Sequence, residues 1–339
     1  MPGCQATGMK AIAVEAGGWA ASMRYIDRAE VRRRLTQAAC IPLMREAMIA
    51  FSGGRTRQLL RSIVPLGGDN LFGVMPGALG ADAPFGAKLI SVYPGNFAKG
   101  RPSHQGLIVL FDPQSGAPVC AVDAGEVTAV RTAAASAMAT DALARPGAAR
   151  LTVLGYGEQA SQHLAAIREV RPIASVVVWG RHADRAGAFA DRMRDSHKLA
   201  IEVAGDVRTA VAGADIVCAL TPASEPILNG AWLSAGTHVN LVGAGHAGQA
   251  EADSDLVARA RFIVDSREGV LAQGGEFLRA KAAGRVDDSH IAGEIGEVLA
   301  GKAPGRCSDD EITVYKSLGH VAQDLISAWA LYTGEGVAP

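Results

Sequence analysis

Cysteine is scarce and scattered. The five residues, Cys4, Cys40, Cys120, Cys218 and Cys307, are odd in number and contain no C-x-x-C pair, which argues against a disulfide framework and a zinc knuckle and favours a reducing cytoplasm. Long hydrophobic runs are missing too: none reaches the roughly 18 residues of a membrane span, so no membrane partner is expected. Neither charge sign is in excess, with 33 Lys plus Arg against 34 Asp plus Glu and a formal net charge of -1, which leaves no electrostatic ground for binding nucleic acid. The eight histidines form no H-E-x-x-H or similar spacing, so no metal is expected. There is no fixed-period repeat. Residues 1–22 lack a basic stretch followed by an apolar one and do not read as a signal peptide; they are taken as an N-terminal extension, with Met23 a candidate start.

What is present is the material of a folded small-molecule protein. Apolar residues make up 49% of 339 and charged residues 20%, enough for more than one core, so two domains are expected. From Asp27, a candidate N-cap, to about Gly53 the apolar spacing reads as two helices. Residues 59–122 break into short apolar runs separated by turn residues, an antiparallel pattern. A small-residue helix over 126–143 follows, stopped by Arg145-Pro146-Gly147. Strands at 151–154, 175–179, 200–203 and 215–219 then alternate with helices at 158–170, 183–195 and 207–213, which implies a parallel, doubly wound α/β sheet. Segments 238–242 and 262–265 extend it to five or six strands. Beyond Glu311 the chain is expected to turn back to the first domain.

Gly155-Tyr156-Gly157-Glu158-Gln159-Ala160 has the G-x-G-x-x-A form of a dinucleotide fingerprint and sits between a β-branched strand and a helix, where the chemistry needs it. The first glycine permits a tight turn, the second lets backbone approach a pyrophosphate, and the alanine keeps the helix near the strand. The bland alternative is a glycine turn with no ligand. The next strand ends in Gly180-Arg181, where a site for NAD would place an acid on the adenine ribose. Arg181, with His182 and Arg185, could instead meet a 2′-phosphate, so NADPH is preferred over NAD, the alternative being solvated charges at a helix start.

Three cations stand among apolar or small residues: Arg61 in Leu60-Arg61-Ser62-Ile63, Lys88 in Ala87-Lys88-Leu89-Ile90, and Arg131 in the small-residue helix. A buried charge needs a partner. Either these are edge residues and structural ion pairs, or they converge on a substrate carboxylate. His104, in Pro102-Ser103-His104-Gln105, is a candidate for hydrogen bonding or proton transfer, against a structural turn histidine. His246 has similar standing, and His320 is expected to pack behind the cofactor.

These motifs, with Val74-Met75-Pro76, Arg131-Thr132-Ala133-Ala134, Glu225-Pro226-Ile227-Leu228 and Lys316-Ser317-Leu318-Gly319, resemble the ornithine cyclodeaminase/mu-crystallin family, and its mu-crystallin branch most. The resemblance implies a homodimer whose open α/β-barrel substrate domain, residues 23–146 with 320–339, contacts the partner, and a Rossmann-type domain at 147–319. It implies that Arg61, Lys88 and Arg131 hold a substrate carboxylate, and that Thr221, Val242, Gly243, Ser317 and Gly319 lie along the cofactor near the nicotinamide.

Two departures matter. Where cyclodeaminases of the family carry a glutamate before the Met-Pro step and an aspartate after the Val-Gly strand end, this chain has Gly73 and Gly245, so the general-base equipment for ornithine is absent. The implied activity is NADPH-dependent reduction of cyclic ketimine carboxylates, such as Δ1-pyrroline-2-carboxylate and Δ1-piperideine-2-carboxylate, to L-proline and L-pipecolate. Open alternatives are NAD-dependent cyclisation of ornithine to proline with release of ammonia, reductive amination of a keto acid as in alanine dehydrogenases, and a binding protein without turnover.

Overall fold

A computed structural model describes residues 23–338, the side chains of Phe97 and Ala98 excepted. The extension at 1–22 lies outside the described residues.

The first body runs β1 Arg24–Ile26, α1 Arg28–Arg34, α2 Gln37–Ser52, β2 Arg57–Gln58, β3 Ser62–Pro65, β4 Leu71–Ala78, β5 Phe85–Val92, β6 His104–Phe111, β7 Pro118–Asp123 and α3 Ala124–Leu143. Asp27 caps α1 by accepting from the Glu30 N–H at 2.8 Å, as its position before an apolar-periodic run predicts. The strands form a seven-stranded sheet in the order β1-β7-β6-β5-β4-β2, with β3 also on β4. All neighbours are antiparallel except β1 and β7.

Side chains alternate across a strand, and the register sorts them into two faces. Met75, Lys88 and Ile108 are cross-strand neighbours on the inner face, which α3 and the last helix cover. Val74, Leu89 and Leu107 align on the outer face, with Phe85 stacked on Phe111 at 5.3 Å between ring centroids. Leu107, Phe85, Tyr25 and Val64 are exposed there. Alternation that should read apolar in and polar out instead reads apolar on both faces.

The second body continues β8 Arg150–Leu154, α4 Glu158–Val170, β9 Ser175–Trp179, α5 Ala183–His197, β10 Ala200–Val203, α6 Val207–Val211, β11 Ile216–Ala219, β12 His238–Leu241, α7 Ser254–Arg259, β13 Arg261–Val264, α8 Arg267–Gln273, α9 Gly275–Ala282, β14 Ile291–Glu294, α10 Ile295–Leu299 and β15 Thr313–Lys316. Its sheet has eight strands in the order β10-β9-β8-β11-β12-β15-β13-β14, and every pairing is parallel. The chain is thus an α/β protein with a doubly wound parallel sheet beside a mixed one. Among the described residues no helix is long and apolar enough to cross a membrane.

One expectation is corrected here. The parallel sheet has two strands beyond the five or six expected, because Ile291–Glu294 and Thr313–Lys316 are only four residues each and their Gly and Lys mask the apolar run. Beyond Glu311 the chain turns back toward the first body, after one more strand. It first inserts β15 between β12 and β13, and only α11, Val321–Thr333, packs against the first sheet.

Helix α3 joins the two bodies. Val127, Val130, Ala134 and Met138 belong to the first core, whereas Ala133 and Ala137 pack with β8, α4 and β9. A helix covered on both sides has no polar stripe, and small side chains let both neighbours approach.

Candidate active site

The inner face of the first sheet, α3 and α11 meet at a buried carboxylate, Asp324. Lys88 Nζ lies 3.0 Å from Asp324 Oδ1 and 2.9 Å from Oδ2. Arg131 donates from Nε to Oδ1 at 3.1 Å and from a terminal nitrogen to Gln323 Oε1 at 3.1 Å. All three side chains are essentially removed from solvent. Arg61 joins them from the loop before β3, donating to the carbonyls of Gly245 and Leu318 at 3.3 Å each. Its Nε is buried without a partner among the described residues.

The charges set one another. Burial alone would raise the pKa of Asp324, but Arg131 and Lys88 outweigh it and hold the carboxyl below the ordinary range. Burial pushes the Lys88 ammonium down to about 8 despite the pull of Asp324. Burial and then Arg131 depress Arg61. The cluster therefore holds two cations on one anion, with a third cation, Arg61, beside them on backbone carbonyls. Gly319 makes room for it: at φ +82, a Cβ there would meet the Arg131 guanidinium at 2.9 Å.

The loops leaving β11, β12 and β15 border this cluster, and two buried carboxylates shape them. Glu251 accepts from the Thr221 N–H at 2.5 Å and hydroxyl at 2.8 Å, and from the Gly243 N–H at 2.7 Å. Asp265 accepts from the N–H groups of Leu318 and Gly319 at 2.6 and 2.8 Å. Behind them Lys316 lies 2.9 Å from Glu276 and donates to the Ala244 carbonyl at 2.7 Å. Burial raises Glu251 to about 7 and raises Asp265 as well. Val242 and Ser317 continue the same two loops, their N–H groups bonded to Ala219 and Leu241.

The glycine turn follows β8. Gly155 adopts φ +127, and its N–H bonds to the Trp179 carbonyl at 2.8 Å. Gly157 caps α4 with no side-chain hydrogen bond, and a Cβ there would meet nothing within 4 Å. An uncapped helix start with open space before it is what a pyrophosphate requires, so these residues fit a dinucleotide. Ala160 is fully buried against the strand, as its place in the motif predicts. Glu158 points away to Arg28 at 2.9 Å. Arg181, His182 and Arg185 are exposed at the start of α5, and none makes a side-chain hydrogen bond or ion pair among the described residues.

His104 opens β6 on the inner face, its Nδ1 3.0 Å from Ser103 Oγ. Desolvation, then the charges of Lys88 and Arg61, hold its imidazole below the usual histidine range. His246 accepts from the Gly248 N–H within its own loop. His320 accepts from the Ala322 N–H and packs on Phe51 at 4.1 Å, so it caps α11.

Comparison with known proteins fits this arrangement. The family model for ornithine cyclodeaminase/mu-crystallin proteins matches residues 22–335. The chain belongs to that family. It is 36% identical over 313 residues to the mouse protein named ketimine reductase mu-crystallin, covering 91% of this chain and 96% of that one. The Thermococcus litoralis Δ1-pyrroline-2-carboxylate reductase, solved with NADH and L-proline, superposes with a TM-score of 0.88 at 33% identity, covering 92% and 97% of the two chains. An archaeal alanine dehydrogenase dimer with bound NAD superposes at 0.86 and 28% identity, covering 92% and 95%.

Within the family fold, sequence reasoning found the three cations and missed their anion. Asp324 stands in Val321-Ala322-Gln323-Asp324-Leu325-Ile326, the one charged residue of helix α11, and that isolation was the available signal. Glu251, Glu276 and Asp265 were missed because nothing local separates them from surface acids. Lys88 and Arg131 each pair with Asp324, the structural ion pairing that the sequence left open beside a substrate carboxylate, and the donor left without a partner among the described residues is Arg61 Nε. Replacing Asp324 with Ala should cost about 3–5 kcal/mol of folding stability, since it strands buried cations. Urea denaturation checks this, and a loss under about 1 kcal/mol would show that Lys88 and Arg131 find other partners.

Proposed function

We propose that the chain is an NADPH-dependent reductase of cyclic ketimine carboxylates, forming L-proline from Δ1-pyrroline-2-carboxylate or L-pipecolate from Δ1-piperideine-2-carboxylate. The observation that carries this reading is the surplus of positive charge around Asp324, with the unpartnered Arg61 Nε at its edge. A substrate carboxylate supplies the missing anion. Arg61, Lys88 and Arg131 would hold it from different elements, which fixes the ring's orientation and lowers the entropy cost of reaction. When bound, the reduced nicotinamide supplies a hydride to the imine carbon. Thr221, Val242, Gly243, Ser317 and Gly319 are proposed to line that cofactor, and His104 to hydrogen-bond the ring nitrogen from the open end of the inner face.

Cyclisation of ornithine is disfavoured by the same cluster. Gly73 and Gly245 present no carboxylate to an amino group, and the buried acids are already occupied: Asp324 by two cations, Asp265 by backbone N–H groups. NADPH is favoured by the unpaired Arg181 and Arg185, since guanidinium groups match a phosphate. The reading extends to a cytoplasmic homodimer with a substrate domain at 23–146 and 320–339 and a cofactor domain at 147–319. The outer sheet face supports the dimer, because a contiguous apolar surface of this kind marks an association site.

The deciding assay follows loss of NADPH absorbance with each ketimine, beside an ornithine-plus-NAD assay for ammonia. NADPH consumption without ammonia is expected; ammonia from ornithine with inert ketimines would replace this reading by the cyclodeaminase one. The pH profile is the next check. Carboxylate binding needs Lys88 protonated, so kcat/KM should fall as pH rises through about 8. A flat profile to high pH would remove Lys88 from substrate binding. Leu107→Glu places a charge on the outer face and should shift sedimentation from dimer to monomer; a wild-type protein that sediments as a monomer would refute the dimer.

A further inference from the structure

The end of β9 is where a dinucleotide site chooses between a ribose hydroxyl and a 2′-phosphate. The residue that would carry an acid there is Gly180. A Cβ built on Gly180 would lie 2.1 Å from Cδ1 and 2.3 Å from Cε1 of Tyr156, with Cγ at 3.5 Å. An entire ring edge covers the position, not a flexible tip, so any side chain at 180 requires the ring to leave.

The ring is not free to leave at no cost. Tyr156 is half-buried against the core formed by β8, β9, α4 and α5. The turn that carries it is tied to the end of β9 by the bond from the Gly155 N–H to the Trp179 carbonyl at 2.8 Å. Moving the turn would break that bond, and moving the ring would expose apolar surface. One residue further, Arg181 is exposed and without a side-chain partner among the described residues, and Arg185 follows one helical turn on.

We propose that Tyr156 is a specificity-determining residue: its ring fills the volume that an acidic ribose ligand at position 180 would need, and so commits the site to recognising a 2′-phosphate through Arg181. The inference rests on the NADPH reading above. It adds that the second residue of the glycine turn and the last position before Arg181 are one coupled unit. An acid can enter at 180 only if Tyr156 is removed with it.

Dissociation constants for NADPH and NADH, read from quenching of tryptophan fluorescence, test this without turnover. The proteins are wild type, Gly180→Ala, Gly180→Asp, Tyr156→Ala and the double variant Tyr156→Ala/Gly180→Asp, each checked for a cooperative melt. Gly180→Ala and Gly180→Asp should weaken both cofactors about tenfold or more, as overpacking does. The double variant should bind NADH about tenfold or more tighter than Gly180→Asp does, while NADPH stays weak because the carboxylate repels the phosphate. If Gly180→Asp alone gains NADH affinity equal to the double variant, or Gly180→Ala binds NADPH like wild type, the ring yields freely and the inference is overturned. A folded double variant that binds neither cofactor overturns it too. Should Gly180→Asp fail to fold, the Gly180→Ala comparison decides alone. A wild type that prefers NADH would sink the NADPH reading by itself, while the coupling between 156 and 180 would still be read from the same proteins.

Discussion

One carboxylate in the last helix holds the molecule's functional centre together. Asp324 draws Lys88 from the middle of the mixed sheet and Arg131 from the helix that links the two bodies, and it reaches them only because the chain returns from the parallel sheet at that point. Three elements distant in sequence thus share one ion cluster. Such a cluster is poor material for stability, since desolvating charges costs as much as their attraction returns. Its value lies in geometry, because cations held by a buried anion are already aimed before a ligand arrives.

The same device recurs beneath the neighbouring loops. Glu251 and Asp265 spend their lone pairs on backbone N–H groups of the segments that follow β11, β12 and β15. Loops at the carboxyl ends of parallel strands are where ligands bind in such sheets, and they lack the ladder bonds that stiffen a strand. Buried acids replace those bonds. The floor beneath these loops is accordingly built from buried acids, with the Lys316–Glu276 pair deeper in.

Helix α3 explains why the two halves can be so close. Its alanines and serine leave little side-chain volume between the first core and the parallel sheet, and Arg131 is the one long side chain on it directed to the cluster. A larger residue at Ala133 or Ala137 would separate the very elements whose contact builds the site.

Periodicity and turn chemistry are local, so the sequence alone determined most of the element order, the glycine turn, the antiparallel pairing over 59–122 and the parallel sheet, and the three cations, but not the parallel pairing of β1 with β7. It could not determine β14 and β15, which are too short and too interrupted to show a period. It singled out Arg61, Lys88 and Arg131 because apolar neighbours make a charge conspicuous. It passed over Asp324, Glu251, Asp265 and Glu276, because an acid on a helix or after a strand looks the same whether it faces water or a buried donor. Only tertiary structure decides that, since which charges meet depends on chain crossings hundreds of residues apart: Lys88 and Asp324 are separated by 236 positions and touch only when both sheets are complete. The packing of Tyr156 on Gly180 belongs to the same class, for the turns after the two strands become one surface only when β8 pairs with β9.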